Sequence, residues 1–295
     1  ARRLDEDGFK VFAGCLDAKG EGPKKLQSEC SPKLEILQLD VTSEEQIEAA
    51  RVKVVDSLMG NILWAVVNNA GVMIDVEFEV TPKRDFKKLM DVNIMGVVNV
   101  TRAFLPLIRA SKGRVVNTAS MAGRTGMPGM TAYAASKFAV IGFSDALRRE
   151  MRHFGVKVIT IEPCAYNTAM TSVSMHHAQN ENFWSNAEPG IRRDYGETFF
   201  SEHQTARDRI VRSTARAQTD EVVNCYVDAV SSVHPKIRYV TPFVMSVLND
   251  FMCFLFTSVQ DAIIHRLAGL RSRPDMLCAH LQESRSTGRR RSHAM

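Results

Sequence analysis

Gly113-Arg-Val-Val-Asn-Thr-Ala-Ser120, followed further along by Thr131-Ala-Tyr-Ala-Ala-Ser-Lys137, is the stretch on which the reading of this chain turns. Arg114 to Thr118 is a short run with paired valines, which predicts a strand, and Thr131 to His153 carries a helical pattern. Working outward, the alternation repeats. Upstream, strands are predicted at Phe9 to Cys15, Leu34 to Leu39 (closing on Asp40) and Leu63 to Val67. Between them run helices at Gly20 to Glu29 and from the capped start Ser43-Glu-Glu-Gln46 to Leu58. Thr81-Pro82 opens a long helix reaching Ala110, with Pro expected at the first helical position. Downstream come strands at Val156 to Ile161 and Ile237 to Val240, with a helix from Asp220 to Ser232 between them. The strands are nearly all apolar, as when both faces are buried, so the pattern predicts an α/β fold with a doubly wound parallel sheet.

Composition agrees with one large globular domain and excludes fibrous, collagen-like and disordered classes: 295 residues, 45% hydrophobic and 24% charged, with 17 Gly and 10 Pro. The net charge of +5 would suit nucleic acid, but its location argues against that partner. From Arg271 to Met295 six Arg stand against Asp275 and Glu283, so this tail carries +4 of the charge. The six cysteines form no CxxC pair and no zinc-finger spacing; they read as reduced intracellular thiols, and no metal is expected. The start shows neither a signal peptide nor a transit peptide, although the first residue is not Met. Val240 to Val259 is the stretch closest to a membrane span, but Asn249 and Asp250 interrupt it, which leaves an interfacial helix open.

Tyr133 and Lys137 lie four apart on a helix, so phenol and ammonium share one face. A Tyr is a poor base at neutral pH, and a neighbouring cation favours its phenolate. Ser120 ends the preceding strand, where ligands bind in open α/β sheets, and its hydroxyl can hold a substrate oxygen beside the Tyr. Asn68-Asn-Ala-Gly71 follows another strand, and Asn93 interrupts an apolar helical stretch, where its amide needs partners.

Asn68-Asn-Ala-Gly71, Asn93, Ser120 and Tyr133-x-x-x-Lys137, in this order over roughly residues 1 to 240, resemble the short-chain dehydrogenase/reductase family. The resemblance implies a Rossmann sheet holding a nicotinamide cofactor. Tyr133 would be the general acid/base. Lys137 would lower its pKa and hold the nicotinamide ribose, Ser120 would orient the substrate oxygen, and Asn93 would anchor a water in a proton relay. Asp40 would sit by the adenine, and Asn68 and Gly71 would form the cofactor wall. Pro163-Cys-Ala-Tyr-Asn-Thr168 is similar to the family's Pro-Gly-x-x-x-Thr segment beside the nicotinamide, with Cys164 in place of the Gly. Val11-Phe-Ala-Gly-Cys-Leu16, Phe104-Leu-Pro-Leu-Ile-Arg109, Gly113-Arg-Val-Val-Asn117 and Arg193-Asp-Tyr-Gly196 resemble the branch that holds mitochondrial D-β-hydroxybutyrate dehydrogenase and the retinol and 17β-hydroxysteroid dehydrogenases. That branch implies an alcohol or ketone substrate, a homo-oligomer, and an intracellular, membrane-associated location in the endoplasmic reticulum or mitochondrion.

The family's Thr-Gly-x-x-x-Gly-x-Gly turn, whose backbone amides cradle the pyrophosphate, is not in this sequence. Its place would be upstream of Phe9, so a first strand and its loop are expected to be missing, as a fragment of a longer product or, alternatively, as a natural loss that leaves a non-catalytic binding or scaffold protein. Asp17, just past the second strand of the family fold, favours NAD over NADP. Residues 164–217 read as a polar insertion over the strand ends. There His176, His177 and His203 are expected to be solvated, Phe183, Trp184, Tyr195, Phe199 and Phe200 line a pocket or pack on the core, and Arg192 and Arg193 are possible carboxylate clamps. The chain thus divides into a dehydrogenase domain (1–240), an apolar helical extension (241–270) with a membrane-surface or dimer contact over 243–267, and a basic disordered tail (271–295).

Overall fold

A computed structural model describes residues 1–268 and residue 274; the basic tail read from the sequence lies, apart from that residue, outside the described residues. The order of elements is α1 (Arg2–Glu6), β1 (Val11–Cys15), α2 (Glu21–Glu29), β2 (Leu34–Gln38), α3 (Glu44–Leu58), β3 (Ala65–Asn68), α4 (Lys83–Met90), a π-helical turn (Asp91–Met95) and α5 (Gly96–Ser111). Then follow β4 (Arg114–Thr118), α6 (Thr131–Met151), β5 (Lys157–Pro163), α7 (Val173–Ser185), α8 (Pro189–Tyr195), α9 (Glu197–Thr214), α10 (Asp220–Ser231), β6 (Arg238–Thr241), α11 (Phe243–Phe254) and α12 (Thr257–Ala268).

All strand pairs are parallel. They form two sheets, β1-β2 and β3-β4-β5-β6, and among the described residues no ladder joins one to the other. The two central strands β4 and β5 are buried almost throughout, as their Val and Ile runs require. The chain between β3 and β4 is one helical run from Lys83 to Ser111, long and apolar enough by composition to cross a membrane, yet its buried face carries Asn93 and Thr101 and packs in the core. Pro82 stands one position before the expected one: it is the N-cap, in extended conformation. The Ser43 reading holds, with its hydroxyl accepting from Gln46 N.

A chain of buried side chains crosses this sheet from helix to helix. Asn68 Nδ2 donates to Thr101 Oγ1 on α5 (2.9 Å) and to Asn117 Oδ1 on β4 (2.8 Å), and Asn117 Nδ2 donates to Ser144 Oγ on α6 (2.9 Å). Each group satisfies the next, which is the condition for burying polar atoms. On the opposite face Arg114 Nη1 donates to the carbonyls of Ala229 (2.8 Å) and Ser232 (3.0 Å), capping the C-terminal end of α10, while its guanidinium lies 4.6 Å from the Trp64 ring centroid.

Residues 164–217 hold no strand beyond the single bridge Tyr166–Arg216 and fold instead as α7, α8 and α9. Their helical period is hard to read because the buried face of α7 mixes Asn180 with Phe183 and Trp184. Asn180 is there to donate to Asp75 O (2.8 Å).

Candidate active site

The site forms where the carboxyl ends of β3 and β4 meet the first turns of α6. Ser120 lies two residues past β4; its extended backbone lets its hydroxyl accept from Ala122 N at 3.2 Å. Tyr133 and Lys137, both buried, present the shared face that their spacing predicts, with Lys137 Nζ 5.6 Å from the Tyr133 ring centroid and donating to Thr118 O at 2.9 Å. Gly71 lies beside Asn93 and Lys137: a Cβ built on it would stand 3.4 Å from Asn93 Oδ1 and 3.7 Å from Lys137 Nζ, within ordinary contact.

The electrostatics differ from the expected lowering of Tyr133 by its lysine. Burial pushes the Tyr133 phenol above its ordinary value, and the neighbouring Ser120 hydroxyl offsets this only in part. Burial also depresses Lys137, to about 8. Taking both groups out of water penalises their charged forms, so desolvation outweighs mutual assistance in this arrangement.

Asn93 sits in the π-helical turn, fully buried, and its amide is satisfied as the sequence demands: Oδ1 accepts from Val72 N (2.8 Å), while Nδ2 donates to Val72 O (2.9 Å) and to Ser136 Oγ (3.0 Å). Ser136 in turn donates to Tyr133 O (2.7 Å). Asn93 therefore clamps the loop after Gly71 against α6, and π turns are frequent at functional sites.

The other predicted residues are spread more widely. Pro163 ends β5, with its carbonyl 3.4 Å from Ser120 Oγ. Cys164 is not in the left-handed region, so replacing Gly there strains nothing; its amide donates to Thr241 O. Thr168 is exposed and caps the turn Ala169–Thr171. Asp17 and Asp40 belong to the other sheet, past the ends of β1 and β2. Asp17 is exposed and accepts from Lys19 N, while Asp40 accepts from the amide and hydroxyl of Thr42, which lower its pKa.

The aromatic segment packs on the core around Tyr133. Phe183, Trp184 and Phe200 share one buried cluster with Tyr133, Ile74, Val76 and Leu89, and Trp184 stacks on Phe200 with centroids 4.5 Å apart. Partly buried Met73, Met90 and Met130 border it. The histidines are not simply solvated: His203 is buried, its ring tilted against Phe199, with Nδ1 3.0 Å from Glu77 Oε1, and His177 Nε2 lies 2.6 Å from Asp208 Oδ2. Arg207, beside it on α9, donates to Glu77 Oε1 (3.1 Å) and approaches Asp75 Oδ1 (3.7 Å). Of the two possible clamps, Arg192 is engaged by Glu197 and lies over Trp184, while Arg193 is exposed, 3.8 Å from Asp194. Sequence reading also passed over Tyr226, whose hydroxyl bonds Thr118 Oγ1 (2.6 Å) and Asn69 Oδ1 (3.0 Å) from 108 residues away or more, and whose pKa burial lifts to about 12.

Comparison with known proteins agrees with this geometry. The chain belongs to the short-chain dehydrogenases, whose family model matches residues 1–179. It is thus an oxidoreductase that acts on CH–OH groups with a nicotinamide cofactor, interconverting a small-molecule alcohol and its carbonyl. It is 36% identical to human retinol dehydrogenase 16 over 90% of this chain and 83% of that protein. It is 36% identical to mouse mitochondrial D-β-hydroxybutyrate dehydrogenase over 81% and 71% of the two chains, and 43% identical to mouse estradiol 17-beta-dehydrogenase 2 over 68% and 53%. A short-chain dehydrogenase from Streptomyces avermitilis shares the fold at a TM-score of 0.62 and 22% identity, covering 96% of this chain and 90% of that one. One from Burkholderia cenocepacia, in complex with NADP, does so at 0.62 and 20%, covering 86% of each. A scaffold role finds no support among relatives named as dehydrogenases.

Proposed function

We propose that the substrate is a bulky apolar alcohol of the hydroxysteroid or retinol kind rather than 3-hydroxybutyrate, and that Asn93, Ser120, Tyr133 and Lys137 carry the reaction. The observation behind this is that Tyr133 is built into an apolar aromatic cluster, and that Arg192 and Arg207 on the helices packed against it are each bonded to a carboxylate. When bound, the nicotinamide supplies the hydride acceptor; Asp17 supports NAD as the preferred form, with Asp17, Asp40, Asn68, Gly71, Tyr133, Lys137, Pro163 and Thr168 as the residues along its path. Ser120 holds the alcohol oxygen, and Tyr133 as phenolate takes its proton, returning it as phenol in carbonyl reduction. Asn93, whose side chain is spent on Val72 and Ser136, serves a water relay through its backbone in the π turn.

Tyr133→Phe is expected to abolish turnover in both directions while leaving the thermal midpoint within a few degrees; a variant with wild-type activity would refute the role. Offered estradiol, retinol and 3-hydroxybutyrate side by side, the enzyme is expected to turn over the first two with the higher kcat/KM. Preferential oxidation of hydroxybutyrate would reverse the substrate reading.

The face of α11 gives a second proposal. Phe243, Val244, Val247, Leu248, Phe251 and Phe254 are all exposed on one helix, followed in sequence by the Arg-rich tail. This pairing of apolar face and positive charge supports contact over 243–267 with an anionic membrane surface inside the cell, of the endoplasmic reticulum or mitochondrion. The five free cysteines among the described residues are in keeping with a reducing compartment. A homo-oligomer burying the same face is the competing occupant.

A further inference from the structure

Ser120 is followed by a short 3-10 turn, Met121–Gly123, that is trapped against the catalytic helix: a Cβ on Gly123 would fall 2.7 Å from Lys137 O. The next residue, Arg124, ends the turn, and its guanidinium reaches two carboxylates from opposite directions. Nε lies 2.6 Å from Oε2 of Glu162, and Nη1 donates to Oδ1 of Asp250 at 2.7 Å. Glu162 is fully buried on β5, where its other oxygen accepts from Thr160 Oγ1 at 2.6 Å. A buried carboxylate needs a cation, and Arg124 is the one placed beside it. The residue after Glu162 is Pro163, whose carbonyl faces Ser120 Oγ. On the other side Asp250 belongs to α11 and is half exposed; its neighbour Asn249, buried, accepts from Thr125 Oγ1 at 3.2 Å. The turn behind the serine is thus fastened to the sheet by one arm of Arg124 and to the outermost apolar helix by the other.

We propose that Arg124 is a positioning residue for Ser120, and that Asp250 makes α11 part of the same support. The proposal rests on the reading of Ser120 as the residue that holds the substrate oxygen. It follows that the apolar helix contributes to the geometry of the reacting centre although it touches none of the reacting atoms. Hydroxyl placement to within about half an ångström is what such a support secures.

Asp250→Ala tests this in the whole protein as expressed, because Asp250 is at the surface and its loss need not unfold the chain. Expected are a kcat lower by about 3- to 5-fold with little change in cofactor KM, restoration by Asp250→Glu, and a larger fall of about 10- to 30-fold for Arg124→Met. In a Ser120→Ala background both losses should vanish, since there is no hydroxyl left to position; a merely structural role would give additive losses. Hydrogen exchange, read without cofactor, should be faster at residues 121–125 in Asp250→Ala and unchanged in α6. Wild-type kcat and exchange in Asp250→Ala, or additivity with Ser120→Ala, would overturn the proposal. A Ser120→Ala enzyme with full turnover would instead sink the reading of the serine, and the exchange result would still decide whether the turn is held by the latch.

Discussion

Lys137 illustrates how function opposes stability in a single side chain. Its pKa is about 8 in the folded chain against an ordinary 10.5, because burial disfavours the ammonium. Between those values the unfolded chain holds a proton that the folded chain has released, so this group makes stability rise as pH climbs from about 8 to 10.5. Below that window the cost of keeping the buried charge is fully present. Lys137→Met should therefore remove activity by at least about 100-fold and raise stability by about 1–2 kcal/mol at neutral pH, the lost bond to Thr118 O being subtracted. Thermal midpoints of the two proteins should converge at alkaline pH; a gap that widens there would contradict the assignment. For Tyr133 the sign is opposite. A phenol raised by burial is the acid in the reductive direction and must lose its proton to act as base, so alcohol oxidation should accelerate with rising pH while carbonyl reduction declines. The juxtaposition of Tyr133 with Lys137 and Ser120, and the burial of Asn93 with its amide satisfied, were legible in the sequence from local spacing and strand-end context. Arg124 and Tyr226 were not, since Arg124 is paired with Glu162 and Asp250, and Tyr226 with Thr118 and Asn69, on elements distant in sequence, and no local pattern announces them.

At the scale of elements, α9 is held to the core by a small buried ionic group. Burial works to raise the pKa of Glu77, but His203 and Arg207 overcome it and leave it lowered; for Asp75 burial prevails over Arg207 and the pKa is raised. Glu77 therefore contributes stability that is present above the ordinary carboxylate range and is lost as pH falls through its depressed value. Removing the cation by Arg207→Met leaves Glu77 with His203 alone, and the cost should be about 3 kcal/mol, felt first as loosening of α9. The measurable outcome is faster hydrogen exchange over 197–214 and a several-fold higher KM for the alcohol, with the cofactor KM little altered. The strands and the long helices were legible from apolar runs and caps, with ends off by one or two residues, as at β3 and β6. The helices of 173–214 were not, because their buried faces carry Asn180, His203 and Gln204, polar residues that hide the period until their partners are known.

For the molecule as a whole, the proposed membrane contact rests on the face of α11, whose apolar side chains are exposed among the described residues. Replacing Phe243, Val247 and Phe251 by Ser should weaken binding to phosphatidylserine-containing vesicles by at least about tenfold while lowering a soluble substrate's kcat/KM by less than Asp250→Ala does. If instead the same variant converts a dimer to a monomer in sedimentation with no change in vesicle binding, the face belongs to a second copy. Two separate fastenings then acquire a meaning of their own. The chain of Thr101, Asn68, Asn117 and Ser144 holds strands and catalytic helix in register, whereas α9 is attached through Asp75, Glu77, His203 and Arg207. No member is common to both, so a relative's 173–214 segment, grafted with His203, Arg207 and the aromatic residues packed on Tyr133 (Phe183, Trp184 and Phe200) retained, should bring its own substrate choice while the surroundings of Tyr133 stay as they are.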